Sequence, residues 1–482
     1  MPVDADGKPS GKAVQLNHET TDAPTWSGDG NRLLYLSNGR LHLIDRATSV
    51  ITPVPFALTW KQDKPTGQVL IHVARLWKGF GAEEQRDVDV LVTGNRIASI
   101  AGHNSQPIPA GVRIIEAPNS TLLPGLWESH AHPNSDNSIY YGDRLGRLWM
   151  LYGITTLRDM ADQAYRAVEE RESFLANTAT GPRLFATGEA IDGERVYYPM
   201  MIPTTSEEQL HREFDRLKAL DFDFMKLYVR LPYSWVVEGA TYAHTQMGVQ
   251  TAGHYLLPAV DLGNDGMSHI SATARTGYAY SRSLTGVSYD DVRALTAESG
   301  MWTISTLLNP GVIAEMPSLA DDLRYNVAPP WERERLMKAR DVAIHTDQNS
   351  NIERVMREEA TVRGVLNHGG TFVGGTDSPL DLPSTSLHLN LIAQVKYGLK
   401  PYQALETVTS IAARAAFLEK DLGTIESGKL ADLILVEGDP LTDIKDVTKV
   451  QCVMKNGRIQ SVAQIASPFV KLSTGEDVCA ME

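Results

Sequence analysis

Apolar positions recur along this chain with two different periods, and the change of period divides it. Near the N-terminus RLLYL (32–36) and RLHLI (40–44) alternate apolar with polar, as half-buried strands do. They flank Ser37-Asn38-Gly39, and Asn-Gly is the strongest short-range hairpin signal, so residues 24–54 predict a short β-meander. From about Gly67 strand patterns resume in QVLIHVARLW (68–77), VDVLVTGNRIASIAG (88–102) and VRIIEA (112–117), with a tight turn at Thr93-Gly94-Asn95. ADLILVEG (431–438) and VQCVMKNGRIQSV (450–462) repeat the pattern at the other end, around Asn456-Gly457. Two β-rich segments that bracket a long middle predict one small β-sandwich built from both chain ends.

Between them, over 123–420, short apolar runs alternate with longer amphipathic ones. Thr205-Ser206-Glu207-Glu208 offers an N-cap and early acids to a helix over LHREFDRLKAL, and the strand DFMKLYV follows. SWVVEGATYAHTQMG reads as helix before the strand VQTAGHY. YDDVRALTAESG leads in the same way to MWTISTLL, and NIERVMREEATVRGVLNHGG to TFVGGTDSP. About eight such units in about three hundred residues fit an α/β fold, a (β/α)8 TIM-type barrel. A doubly wound open sheet is the alternative, and no GxGxxG follows the first strand to support it. The expected division is 1–60 as a β extension, 61–122 with 421–466 as the sandwich, 123–420 as the barrel and 467–482 as a tail.

The segment 24–45 resembles one blade of the β-propeller repeats of Tol-type and peptidase-associated propellers. A propeller needs several blades, so a docked extension is the safer expectation. The chain has 482 residues and no stretch near the roughly 18 apolar residues of a spanning helix, so no membrane is expected. MPVDADGKPSGK lacks an apolar signal core, which predicts a cytoplasmic protein as the chain stands, or a periplasmic or secreted one within a longer parent. A formal net charge of -14 argues against a nucleic-acid partner. Cys452 and Cys479 are the only cysteines, too few for a disulfide framework or a cysteine-rich zinc site. Any metal must be held by histidine, carboxylate or something less usual.

Barrel chemistry sits where parallel strands end, so the residues there carry most information. The first strand ends in His130 and His132, which share a face. The fourth ends near Lys226, the fifth at His254, the sixth at His269 and the eighth at Asp377. By alternation Lys226 shares a face with Phe222, Phe224 and Tyr228, which points it into an apolar interior where an ammonium is costly and its pKa falls. A lysine neutral in this way reacts with carbon dioxide to form a carbamate, an anionic two-oxygen ligand able to bridge two metals. The plainer alternative is a lysine that snorkels to the mouth or pairs with Asp377; beside four strand-end histidines the carbamate is favoured.

With these residues in place, the chain resembles the amidohydrolase superfamily over nearly all of 67–465. TLLPGLWESHAH (121–132) is similar to that family's first strand and GITTLRDM (153–160) to its second. SIAARAAFLEKDLGTIESGKLADLILVEGDPLTDI (410–444) resembles its barrel exit and sandwich return, in the imidazolonepropionase-like and Xaa-Pro dipeptidase-like branch. Glu128 stands where that family commonly has aspartate. The resemblance implies a binuclear site, with His130, His132 and Asp377 on a buried metal, His254 and His269 on an exposed one, and N6-carboxylated Lys226 bridging. Zinc suits these ligands, and manganese, iron and cobalt occupy similar sites. The implied reaction is hydrolysis of an amide of a small molecule (a dipeptide, N-acyl amino acid or cyclic amide) by a metal-bridging hydroxide, with Asp377 as proton shuttle. The alternatives are a mononuclear deaminase, or a lactone or ester hydrolase on the same barrel. Deaminases of this type place a glutamate three residues after the fifth-strand histidine, whereas His254 is followed by Tyr-Leu-Leu.

Further out, Tyr228 is placed to donate to a developing oxyanion. Arg195 and Arg230, in mouth loops, are candidates to grip a substrate carboxylate, and Tyr197 within GERVYYPM (193–200) to wall the pocket. The other histidines, including His72, His103 and His388, are expected to be structural. A homo-oligomer is left open.

Overall fold

In the computed structural model, which describes residues 2–133, 141–254, 261–269, 285–306, 310–380, 382–472 and 478–479, both chain ends pair as their alternation requires. β1 (Asp22–Trp26), β2 (Arg32–Ser37), β3 (Arg40–Asp45) and β4 (Ile51–Val54) form an antiparallel sheet in that order. Asn38 and Gly39 turn β2 into β3 at φ 50° and 75°, the left-handed pair a two-residue hairpin needs. This small sheet is docked on the main body. The Arg216 guanidinium, almost fully buried, lies 3.1 Å from Asp22 of β1 and 2.9 Å from Glu189.

The next four strands are β5 (Gln68–Leu76), β6 (Gln85–Thr93), β7 (Arg96–Gly102) and β8 (Arg113–Pro124). They share one seven-stranded sheet with three strands from the far end, β19 (Leu433–Glu437), β20 (Val450–Lys455) and β21 (Arg458–Ser461), in the order β21-β20-β19-β8-β5-β6-β7. Buried Ile71, Val73, Val90, Ile115, Leu433 and Met454 make its core. The turns 94–95 and 456–457 meet: Asn95 Nδ2 donates to Asn456 Oδ1 at 3.0 Å, and a Cβ on Gly457 would stand 2.2 Å from the Gly94 carbonyl oxygen. Only glycine fits there. The two cysteines, too few for a framework, nevertheless form one disulfide, Cys452–Cys479. The tail returns to the sheet, where Arg113 donates to the Cys479 carbonyl at 2.6 Å, a proximity that sequence separation does not carry.

The middle is mixed α and β with parallel strands. β9 (Leu126–Ala131), β10 (Ile154–Asp159) and β11 (Arg183–Ala186) form one sheet, and β12 (Ala190–Asp192) pairs with β13 (Met201–Pro203). β14 (Phe224–Lys226), β15 (Gln250–Gly253), β16 (Gly266–Met267), β17 (Trp302–Ser305) and β18 (Thr371–Gly374) form another. Parallel bridges Ala131–Ser378 and Ile191–Leu227 link these sheets. The connecting helices start and stop as their sequences direct. Ser206 Oγ caps helix Glu207–Ala219 by accepting from the Gln209 N–H at 3.2 Å, and Leu210, Phe214 and Leu217 bury one face. Among the described residues no helix is long and apolar enough to cross a membrane.

Candidate metal centre

Parallel strands deliver their C-terminal ends to one edge, and the six expected residues stand there. His130 lies in β9 with His132 just beyond it, and Lys226 closes β14. His254 follows β15 directly, while His269 and Asp377 come shortly after β16 and β18. His269 and Asp377 have φ of 61° and 65°, a region that residues other than glycine seldom occupy, so the surroundings must hold them.

Glu128 is a large part of that hold. Its carboxylate accepts from the N–H groups of His130 (3.0 Å) and Thr376 (2.9 Å) and from Thr376 Oγ1 (2.8 Å), which ties β9 to the segment carrying Asp377. Burial pushes the carboxyl up to about 8, against the pull of those three donors. The Asp377 N–H donates to the His130 carbonyl at 2.7 Å, and the His132 N–H to Ser378 at 2.7 Å. A Cβ on Gly375 would sit 2.9 Å from His130 Cβ, so glycine permits the approach. Sequence reasoning set Glu128 aside as a mere neighbour of the ligands. The available signal was an acid inside LWESHA, a strand with no exposed position.

The Asp377 carboxylate is the hub. Oδ1 lies 3.3 Å from His130 Nε2 and 3.1 Å from His132 Nε2, and Oδ2 lies 3.6 Å from His269 Nε2. Burial alone would raise its pKa, yet His269 and His130 hold it well below the usual carboxylate range. The rings of His254 and His269 are 4.8 Å apart, those of His130 and His269 4.5 Å. Burial, then neighbouring positive charge, pushes His130 and His254 well below the ordinary imidazole value. His132 is also desolvated, but Asp377 outweighs this and raises it. Its Nδ1 donates to the Ala161 carbonyl at 2.8 Å, which leaves Nε2 to face Asp377. Lys226, 1 % exposed, is brought down to about 7 by burial, and Nζ donates to Ser268 Oγ at 2.7 Å.

This donor set fits a divalent metal. Among the described residues, His130 Nδ1 and His254 Nδ1 are buried with no hydrogen-bond partner, a costly arrangement unless an electron-pair acceptor is there. Ligand atoms of His130, His269 and Asp377 lie within 4.8 Å of one another. Tyr228 joins the group, its ring 4.5 Å from that of His254. Arg230 lies just outside, its Nη1 2.9 Å from Asp192 Oδ2 and its N–H bonded to Asp192 Oδ1 at 2.8 Å. Arg195 and Tyr197 are exposed; Tyr197 packs on Tyr198, 4.7 Å between rings. Asp159, buried at the end of β10 and raised to about 7 chiefly by burial, is a second residue the sequence did not single out. His388 is a core histidine bonded to the Tyr152 carbonyl at 2.8 Å, as expected.

Residues 121–460 match the sequence model of the amidohydrolase family. The chain belongs to that family. It is similar to imidazolonepropionases of Geobacillus sp. (strain WCH70), 31% identical over 110 residues, and Shouchella clausii (strain KSM-K16), 33% over 110. Those stretches cover 22% of this chain and 26% and 25% of the relatives, about a quarter of their length. Its fold is similar to a Xaa-Pro dipeptidase with methionine bound in the active site (TM-score 0.61, 21% identity, 82% of this chain and 100% of that one). Phenylurea hydrolase B is also similar (TM-score 0.64, 17% identity, 85% and 100%).

Proposed function

We propose that the chain hydrolyses an amide bond of a small molecule, such as a dipeptide, an N-acyl amino acid or a cyclic amide, at a binuclear centre. The observation that carries this reading is the buried Asp377 carboxylate faced by three imidazoles, with the softened Lys226 amine in the same interior. His130, His132 and Asp377 would hold one metal, and His254 and His269 the other, with zinc the best match to the donors. When bound, such metals polarise a carbonyl and make water acidic enough to attack near neutrality.

The chain's own residues do the rest. The neutral Lys226 amine would add to carbon dioxide, forming an N–C bond and releasing one proton, to give an anionic two-oxygen ligand that could serve both ligand sets. Asp377 takes the proton of the attacking water and returns it to the leaving amine. Tyr228, against His254, donates to the oxygen that gains charge. Asp192 aims Arg230, whose side chain remains 40% exposed, and Arg195 and Tyr197 complete the substrate contacts from the loop after β12. We further infer that β9–β11 and β14–β18 close as a (β/α)8 barrel, supported by the Ala131–Ser378 bridge, with 61–122 and 421–466 as the β-sandwich beside it, 1–60 as the docked extension and 467–482 as the tail. The disulfide favours an oxidising compartment, periplasmic or extracellular.

The test is a panel of dipeptides, N-acyl amino acids, cyclic amides and lactones offered to the metal-loaded protein and to Lys226→Ala. Amide turnover that disappears in the variant supports the reading. A fully active Lys226→Ala, or deamination without amide cleavage, contradicts it.

A further inference from the structure

Strand register assembles a second histidine–carboxylate cluster on the seven-stranded sheet, apart from the strand-end residues just described. In the seven-stranded sheet, His72 of β5 stands opposite Asp89 of β6 on one side and Glu116 of β8 on the other. Asp87, two residues before Asp89, shares its face. His103 follows β7, and its N–H donates to the Asp87 carbonyl at 2.9 Å. His72 Nδ1 lies 2.7 Å from Glu116 Oε2, and its Nε2 3.0 Å from Asp87 Oδ1. His103 Nδ1 lies 2.9 Å from Asp89 Oδ1, and the two imidazoles stack with centroids 3.6 Å apart and planes 15° from parallel. Ligand atoms of His72, Asp87 and His103 fall within 4.8 Å of one another.

We propose that His72, His103 and Asp87 form a second divalent-metal site, on the sheet rather than at the strand ends. Glu116 and Asp89 each accept from one Nδ1–H, which leaves Nε2 as the metal-binding nitrogen of each ring, and in His72 the metal would displace the proton that Nε2 shares with Asp87. That carboxylate–histidine pairing is the support that metal-ligating imidazoles ordinarily have. Asp87 supplies the third ligand. The three carboxylates also exceed the charge the histidines can return, because two imidazolium rings stacked at this distance would repel. A cation relieves that excess, and its binding turns the rings out of their stack so that both Nε2 atoms converge. Two imidazoles and one carboxylate suit zinc or copper and not calcium or magnesium, which prefer oxygen. Asp87 is exposed while His72 is nearly covered, so metal enters from solvent onto a supported floor.

The experiment titrates zinc, and separately copper, into the full-length protein whose strand-end site is already loaded, and counts metal by mass spectrometry after dialysis. The wild type is expected to retain one metal per chain more than the double variant H72A/H103A, with equal turnover in both. Glu116→Gln and Asp89→Asn, which keep the ligands and the fold, are expected to weaken retention about 10- to 100-fold. Copper bound here gives an electron paramagnetic resonance signal with nitrogen couplings from two imidazoles. Equal metal content in wild type and double variant, or a copper signal unchanged by the substitutions, overturns the proposal. Should the double variant not fold, Glu116→Gln, Asp89→Asn and the wild-type copper spectrum decide alone.

Discussion

Two clusters in this molecule are built from the same side chains and behave oppositely. At the strand ends, burial pushes His130 and His254 well down and Lys226 to about 7, while Asp377, the carboxylate they face, is held low by the imidazoles around it. On the seven-stranded sheet, His72 is only partly desolvated, and Glu116 and Asp87 outweigh that to raise its pKa. Depth and the ratio of acids to imidazoles decide the outcome. The buried site favours the neutral forms of His130, His254 and Lys226 and the charged form of Asp377, ready for metal and proton traffic. The sheet site starts with an excess of negative charge.

Removing a ligand from the buried cluster should have the largest effect. His130→Ala is expected to lose metal and turnover together, read by metal analysis beside an amide-hydrolysis assay. Asp377→Asn comes next: turnover is expected to fall about 100- to 10,000-fold with far-ultraviolet dichroism retained, and wild-type turnover would reject the proton-shuttle role. Among the described residues the His388 ring is bonded to one carbonyl, that of Tyr152, and burial lowers it to about 4. Between its ordinary 6.5 and about 4 the unfolded chain binds the proton and the folded one does not, so stability falls as pH falls through that window, by about 3 kcal/mol. Denaturant midpoints of His388→Gln should lack this slope; an identical slope would show that burial is not the cause. The smallest effect belongs to the sheet. In metal-free protein, Glu116→Gln should lower the His72 titration midpoint seen by NMR, and no change would remove Glu116 from the account.

The strand-end residues were legible because parallel strands place them by rule, so a periodic pattern and a position within it locate each one. The Asn-Gly turns were legible because two residues specify them. What stayed hidden depends on register between distant strands. Nothing in QVLIHVARLW marks His72 as facing Glu116 and Asp89, 44 and 17 positions away in sequence; only the pairing of β5 with β8 and β6 does so. Asp192 beneath Arg230, Asp22 against Arg216 and the Cys452–Cys479 bond are of the same kind. Glu128 was visible as an acid but not as a tie, because its partner Thr376 lies on the last strand's exit.

That six residues at five strand ends hold a metal pair is tested by anomalous diffraction at the zinc edge from crystals of the metal-loaded protein. Two peaks are expected among His130, His132, His254, His269 and Asp377, with density running on from Lys226 Nζ between them. A map with no peak there, or with one peak and a bare Lys226 amine, would contradict it.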